Sequence, residues 1–149
     1  MAELKDLELI SLACVLAGAV GWERESTGKP AGFRTHMIIG GAAALLVICG
    51  KWLIADGIVS GDQSTLRYDP LRLIEAVIVG VSFIGAGTIL NIESNEKGER
   101  VKYLTTAASL LFSAGLGICV AIERYILAVG VTVLILVINH VLIKFRKKT

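Results

Sequence analysis

Apolar residues fall into five runs along the chain, at 7–22, 37–55, 71–92, 103–122 and 125–143, separated by short stretches dense in charge and turn formers. A helix rises about 1.5 Å per residue, so runs near twenty residues with few charges are long enough to cross a hydrocarbon core. The pattern predicts an all-α membrane protein, a five-transmembrane-helix bundle forming one domain over residues 1–149. The first run is the shortest and ends on Trp22, a residue suited to the headgroup level. Lys51 and Trp52 lie late in the second run, where a lysine snorkels and an indole anchors. Asp69-Pro70 is a helix start, with Asp69 as N-cap and Pro70 in the first turn. The third run carries Arg72 and Glu75 three apart, an expected ion pair near the interface. A tight turn at Glu123-Arg124 separates the last two runs.

Composition supports that class. The chain is 54% hydrophobic and only 6% aromatic, with a mean hydropathy of +0.72. The N-terminal MAELKDLELI lacks the cationic patch of a cleaved signal peptide, so the first run is expected to stay in the mature protein. Cys14, Cys49 and Cys119 each stand alone in an apolar run and read as small packing residues rather than redox or metal centres. The distribution of charge matters more than the formal net of +2. With five spans, one side receives Arg24, Lys29, Arg34, Lys97, Arg100, Lys102, Lys144, Arg146, Lys147 and Lys148. The other receives only Lys5, Lys51, Arg67, Arg72 and Arg124. Basic residues favour the cytoplasmic side, which places the N-terminus outside and the C-terminus in the cytoplasm.

The stretch Gly21–His36, GWERESTGKPAGFRTH, reads as a charge-dense cytoplasmic loop between two apolar helices. Glu23 and Glu25 follow the C-terminal end of the first helix, where the dipole disfavours carboxylates unless a cation compensates. The compensating charge is expected from Arg24, Arg34, protonated His36 or a bound divalent metal. One reading is a self-satisfied cluster with an Arg–carboxylate fork. The other makes Glu23 and Asp69 oxygen ligands of a hard cation such as Mg2+, the one cofactor the pattern admits. Two carboxylates one residue apart on a helix end point in different directions, so Glu23 and Glu25 are not expected to chelate one ion together. His36, at the start of the second helix, is more simply an interfacial hydrogen-bonding residue than a ligand. Asn139 and His140, late in the last run, are likewise read as interfacial.

Small residues form two stripes at four-residue spacing: Ala13, Ala17 and Gly21 in the first run, and Thr105, Ser109, Ser113, Gly117 and Ala121 in the fourth. Such stripes let membrane helices approach closely. Gly85 and Gly87, within the third run, allow close backbone approach or a local break. Thr105 and Thr106 begin the fourth run on the side of Glu23 and are placed to hydrogen-bond the cytoplasmic loops. Glu75, about one turn into a membrane helix, is costly if ionised and is neutralised most simply by Arg72.

Four motifs occur together: GWERE…GKPAGFRTHM, with Glu23, Arg24, Glu25, Gly32, Arg34, Thr35 and His36; Asp69-Pro70; FIGAGTIL at Phe83–Leu90; and LTTAAS at Leu104–Ser109, with Thr105, Thr106 and Ser109. In this order and spacing they resemble the MgtC/SapB family of bacterial inner-membrane proteins, across essentially the whole chain. The resemblance implies a helical membrane domain tied to adaptation to low magnesium, acid or nutrient stress. In pathogens it implies survival inside macrophages, and in some members restraint of the ATP synthase. The chain departs from the family pattern in three places. Many members carry a cytoplasmic C-terminal domain, whereas this sequence ends six residues past Ile143. Lys102-Tyr103 replaces the usual Arg-Gly before LTTAAS. Thr105 stands where members best known for virulence tend to have Asn.

Three functional classes follow. The first is a non-enzymatic inner-membrane regulator, acting through the polar cytoplasmic face on a membrane partner, and dimeric given its small-residue stripes. The second is a magnesium transporter or channel component, against which stand the absence of repeated intramembrane acids and of an inverted repeat. The third is a membrane-embedded enzyme, for which no phosphate loop, HExxH, GxSxG or other nucleophile–base pattern is present. No nucleic-acid element is present either; the basic tail suits a lipid surface.

Overall fold

The computed structural model of the protein describes residues 2–55, 70–90 and 103–146. These form five helices and, among the described residues, no strand: α1 (Ala2–Ser26), α2 (Phe33–Ala55), α3 (Pro70–Leu90), α4 (Leu104–Ala121) and α5 (Tyr125–Arg146). Among the described residues three segments are long and apolar enough to cross a membrane: Phe33–Ala55, Leu71–Ile89 and Leu104–Ala121. Tyr125–His140 is a shorter apolar segment. The chain is an all-α membrane protein, as its pattern of apolar runs predicts.

α1 is the main departure from the expected boundaries. It runs through Glu23, Arg24 and Glu25 to Ser26, so the expected loop from Gly21 to His36 is reduced to residues 27–32. The helix ends where its backbone lets it. Gly28 adopts φ +66°, its N–H reaches the Glu25 carbonyl, and the Lys29 N–H reaches the Arg24 carbonyl. This is the paired closure that a left-handed residue after a helix permits. The Ser26 and Thr27 hydroxyls take up the Glu23 carbonyl as well. The same closure ends α4, with Glu123 at φ 61° and bonds from Glu123 N to Val120 O and Arg124 N to Cys119 O.

α1, α2 and α4 pack against one another through small side chains. Ala13 and Ala17 of α1, Ala43 and Ala44 of α2, and Ala114 and Ala121 of α4 are all buried. A Cβ on Gly117 would run into the Gly40 carbonyl, and one on Gly40 would lie 2.5 Å from the Ala17 Cβ. Both stripes read from the sequence are thereby consumed inside one chain. α3 and α5 lie outside this trio. Val77 and Val81 of α3 join Ile39 and Leu110, and Ile135 of α5 joins Val20 and Leu116. Much of their remaining surface is apolar and exposed, with Phe83 80% and Ile126 92% accessible.

Lys51, exposed near the end of α2, donates its Nζ to the Ala121 carbonyl at 2.6 Å, where a cation meets the free carbonyls and negative dipole of the α4 C-terminus. Arg72 and Glu75 are both exposed, and the one ion pair among the described residues joins Lys5 to Glu123 instead. On a helix face open to its surroundings, two long side chains gain too little from pairing to fix one geometry.

Candidate functional site

The C-terminal end of α1, the start of α2, the start of α4 and the late part of α5 meet at one end of the bundle. Extending α1 to Ser26 puts Arg24 on its buried face, one turn beyond the buried Val20. Arg24 is 4% exposed. Its Nη2 donates to the Thr106 hydroxyl at 2.9 Å and to the Thr105 hydroxyl at 3.3 Å. Burial disfavours the charged guanidinium and the neighbouring Glu23 carboxylate favours it; an arginine in such a place keeps its charge. A buried charge on α1 is thus tied to two hydroxyls of α4.

Glu23 and Glu25 diverge, as their one-residue spacing requires. Glu23 Oε2 accepts a 2.7 Å bond from the Asn139 side-chain amide of α5, while its Oε1 is buried with no partner. Glu25 turns the other way, and its Oε2 accepts the backbone N–H of Phe33 at 2.8 Å. It caps α2 from the preceding helix, so its compensating charge is the positive end of the α2 dipole. Gly32 makes room for this, because a Cβ there would collide with the Glu25 carboxylate. The expected Arg–carboxylate fork does not form: Arg24 spends its Nη2 on threonines and Arg34 is exposed.

His36 is fully buried and engages both ring nitrogens. Nδ1 lies 2.9 Å from the Gly32 carbonyl, which only accepts, so Nδ1 carries a proton. Nε2 lies 3.1 Å from Ser109 Oγ, and the same hydroxyl reaches the Thr106 carbonyl at 2.8 Å. A hydroxyl has one proton to give. With neutral imidazole it goes to Nε2; with imidazolium, Nε2–H donates to Oγ and the hydroxyl turns to the carbonyl. Ser113 continues the line by donating to the Ser109 carbonyl at 3.1 Å.

The structure therefore gathers Glu23, Arg24, His36, Thr105, Thr106 and Ser109. Thr35, half-buried in the first turn of α2, makes no polar contact in that group. Asp69 lies outside the described residues, and with it the second of the two expected cation ligands. Gly85 packs its backbone on Ala107, where an added Cβ would lie 3.2 Å from the Ala107 side chain, whereas Gly87 faces open space. Asn139, which the sequence pattern marks only as interfacial, joins this group through Glu23; an amide one turn or so from the end of an apolar helix was the available signal. Among the described residues no three His, Cys, Asp or Glu side chains come close enough to hold a metal ion. The single carboxylate here sits beside a guanidinium, a poor fit to a resident divalent cation.

An all-helical membrane protein with a buried arginine bound to hydroxyls and a half-buried glutamate bound to an amide at one end is the class these observations define. The chain belongs to the MgtC family, whose pattern it matches over residues 10–148. It is similar to YhiD of Escherichia coli K12, a proposed magnesium transporter by its name, with 40% identity over 87% of this chain and 57% of that protein. It is similar to the protein MgtC of Brucella abortus, with 32% identity over 87% of this chain and 48% of that one. Similarity to MgtC of Salmonella typhimurium is 30% over 88% and 50%. The chain spans about half the length of the curated relatives it matches. No solved structure matches it.

Proposed function

We propose that the protein is a non-enzymatic regulator of the bacterial inner membrane, working in adaptation to low magnesium, acid or nutrient stress through a membrane protein partner. In this reading all five helices cross the bilayer, the N-terminus is outside, and the polar end of the bundle faces the cytoplasm, a placement the charge asymmetry supports. The observation that carries the reading is Arg24. A guanidinium with 4% exposure, fixed between α1 and α4, fills the polar end with a positive charge that a permeating cation would have to pass. Locked polar contacts between four helices suit a surface held in one shape for recognition. Arg34, exposed beside this end, is available to a partner.

Magnesium transport is the second reading. It is favoured by the buried, unpartnered Glu23 Oε1 and by the name of the Escherichia coli relative. Proteoliposomes loaded with a magnesium-sensitive dye separate the two. The regulator reading expects no influx above empty vesicles, and expects wild-type protein, but not Arg34→Glu, to retain a membrane protein on affinity purification. Magnesium influx that Glu23→Gln abolishes would overturn it in favour of transport.

A further inference from the structure

At the end of the bundle opposite Arg24, a groove of about 300 Å3 opens between the first turns of α1 and the last turns of α2. Its α1 wall is Glu3, Asp6, Leu7 and Ile10, and its α2 wall includes Ile48 and Trp52. Both walls use positions three and four apart, so each helix presents one continuous face to it. The deeper part is apolar. In a bilayer such a groove lies at hydrocarbon depth and is filled by an apolar chain, because water gains nothing there.

The mouth of the groove selects which amphiphile sits on top of that chain. Asp6 accepts the Trp52 indole N–H at 2.6 Å, and exposed Glu3 stands one turn away. The two nearby lysines are engaged elsewhere: Lys5 pairs with Glu123 at 2.8 Å, and Lys51 donates to the Ala121 carbonyl at 2.6 Å. Two carboxylates and an indole then face the headgroup level, an arrangement that repels an anionic headgroup and attracts a cationic one. We infer that this groove is a binding site for a phospholipid with a primary-ammonium headgroup. One acyl chain lies along Leu7, Ile10 and Ile48, and the ammonium donates to Glu3 and Asp6. A primary ammonium is preferred to a quaternary one because it has three N–H donors for carboxylate acceptors. The inference depends on the chain being in a membrane and not on the role of the Arg24 cluster.

Cys49 lines the same groove and is exposed, which supplies the reporter. The test uses the full chain in detergent with Cys14→Ala and Cys119→Ala, titrated with phosphatidylethanolamine, phosphatidylcholine or phosphatidylglycerol of matched chains. Alkylation of Cys49 by an apolar maleimide and the unfolding temperature are both read. Phosphatidylethanolamine is expected to slow alkylation about threefold and to raise the unfolding temperature, as occupancy of the folded state requires. Phosphatidylcholine should do less and phosphatidylglycerol least. Glu3→Gln with Asp6→Asn, which keeps an acceptor for Trp52, should erase the ranking while leaving the fold intact. Equal protection by all three lipids would overturn the proposal, as would a ranking that survives the double variant. Oxidative cross-linking of Cys49 between copies, unaffected by lipid, would overturn it too, since the groove would then seat a second chain.

Discussion

α2 and α4 of the inner trio, and α3 and α5 of the outer pair, are built from comparably apolar sequence and packed in different ways. Half of the α4 span is buried, against 17% of the α3 span. In lipid an apolar side chain gains little by leaving the tails for a protein neighbour, so hydropathy does not decide which helix becomes central. Small residues and hydroxyls do. α4 offers Ser109, Ser113, Gly117 and Ala121 on one face, all buried, whereas the Gly80 and Gly87 positions of α3 face nothing within 4 Å. Gly117→Leu drives a side chain into the Gly40 backbone and is expected to cost about 3 kcal/mol, the upper part of the overpacking range. Gly80→Leu should stay within about 0.5 kcal/mol. Thermal unfolding in detergent measures both, and similar losses would show that α3 is packed as tightly as α4.

The polar end sharpens the same contrast. Arg24→Ala removes two bonds from a charged donor and leaves the fully buried Thr106 hydroxyl without it, so a loss of about 2 kcal/mol is expected. Arg24→Lys, with a single ammonium on a stem of different reach, should recover only part of that. Asn139 is where a side-chain hydrogen bond ties α5 to the inner trio. A double-mutant cycle over Glu23→Ala and Asn139→Ala in unfolding experiments is expected to return a coupling of about 1 kcal/mol. A coupling of zero would mean that α5 is held by its apolar face alone.

The number and type of helices were legible from run length, because burial in lipid demands uninterrupted apolar stretches. The end of α1 was not. Glu23, Arg24 and Glu25 read as loop, although the stop signal lies later, at Gly28 followed by Lys29 and Pro30. A charged residue ends an apolar run without ending a helix, and Arg24 shows why: it needs the helix to carry it to Thr106. The partners of Arg24, Glu23 and His36 were hidden for a related reason. They come from α4 and α5, more than seventy residues away in sequence, and no local pattern encodes such pairing. The capping of α2 by Glu25 was hidden too, since a helix start is normally read from the residue just before it. Tyr103 gave a usable signal. It occupies the place where the family pattern has glycine, and it adopts φ 69°. Tyr103→Gly should relieve about 1 kcal/mol of left-handed strain, less whatever the unfolded chain gains in freedom. A lower unfolding temperature would mean that the Tyr103 side chain contributes more than its backbone costs.

The smallest expected effect lies at the far end, where Lys5 bonds Glu123 at 2.8 Å with both side chains about half exposed. The hydrogen bond and charge of Lys5 hold the Glu123 carboxyl below its ordinary value, and those of Glu123 hold the Lys5 ammonium above its own. A lowered carboxylate pKa contributes stability that is whole above the ordinary glutamate value and is lost as pH falls through the lowered one. A raised ammonium pKa contributes stability that is whole below the ordinary lysine value and is lost as pH rises through the raised one. The difference in unfolding temperature between wild type and Glu123→Gln should therefore be constant across neutral pH. It should shrink as pH falls below the ordinary glutamate value and through the lowered one, where the Glu123 carboxylate takes up its proton. Salt should shrink it as well, because the pair is exposed and screened. The Arg24→Ala penalty should respond far less to salt, since Arg24 and its Thr106 acceptor are out of water. If both penalties fell together with added salt, the Arg24 cluster would be a solvated surface feature and not the internal tie between α1 and α4.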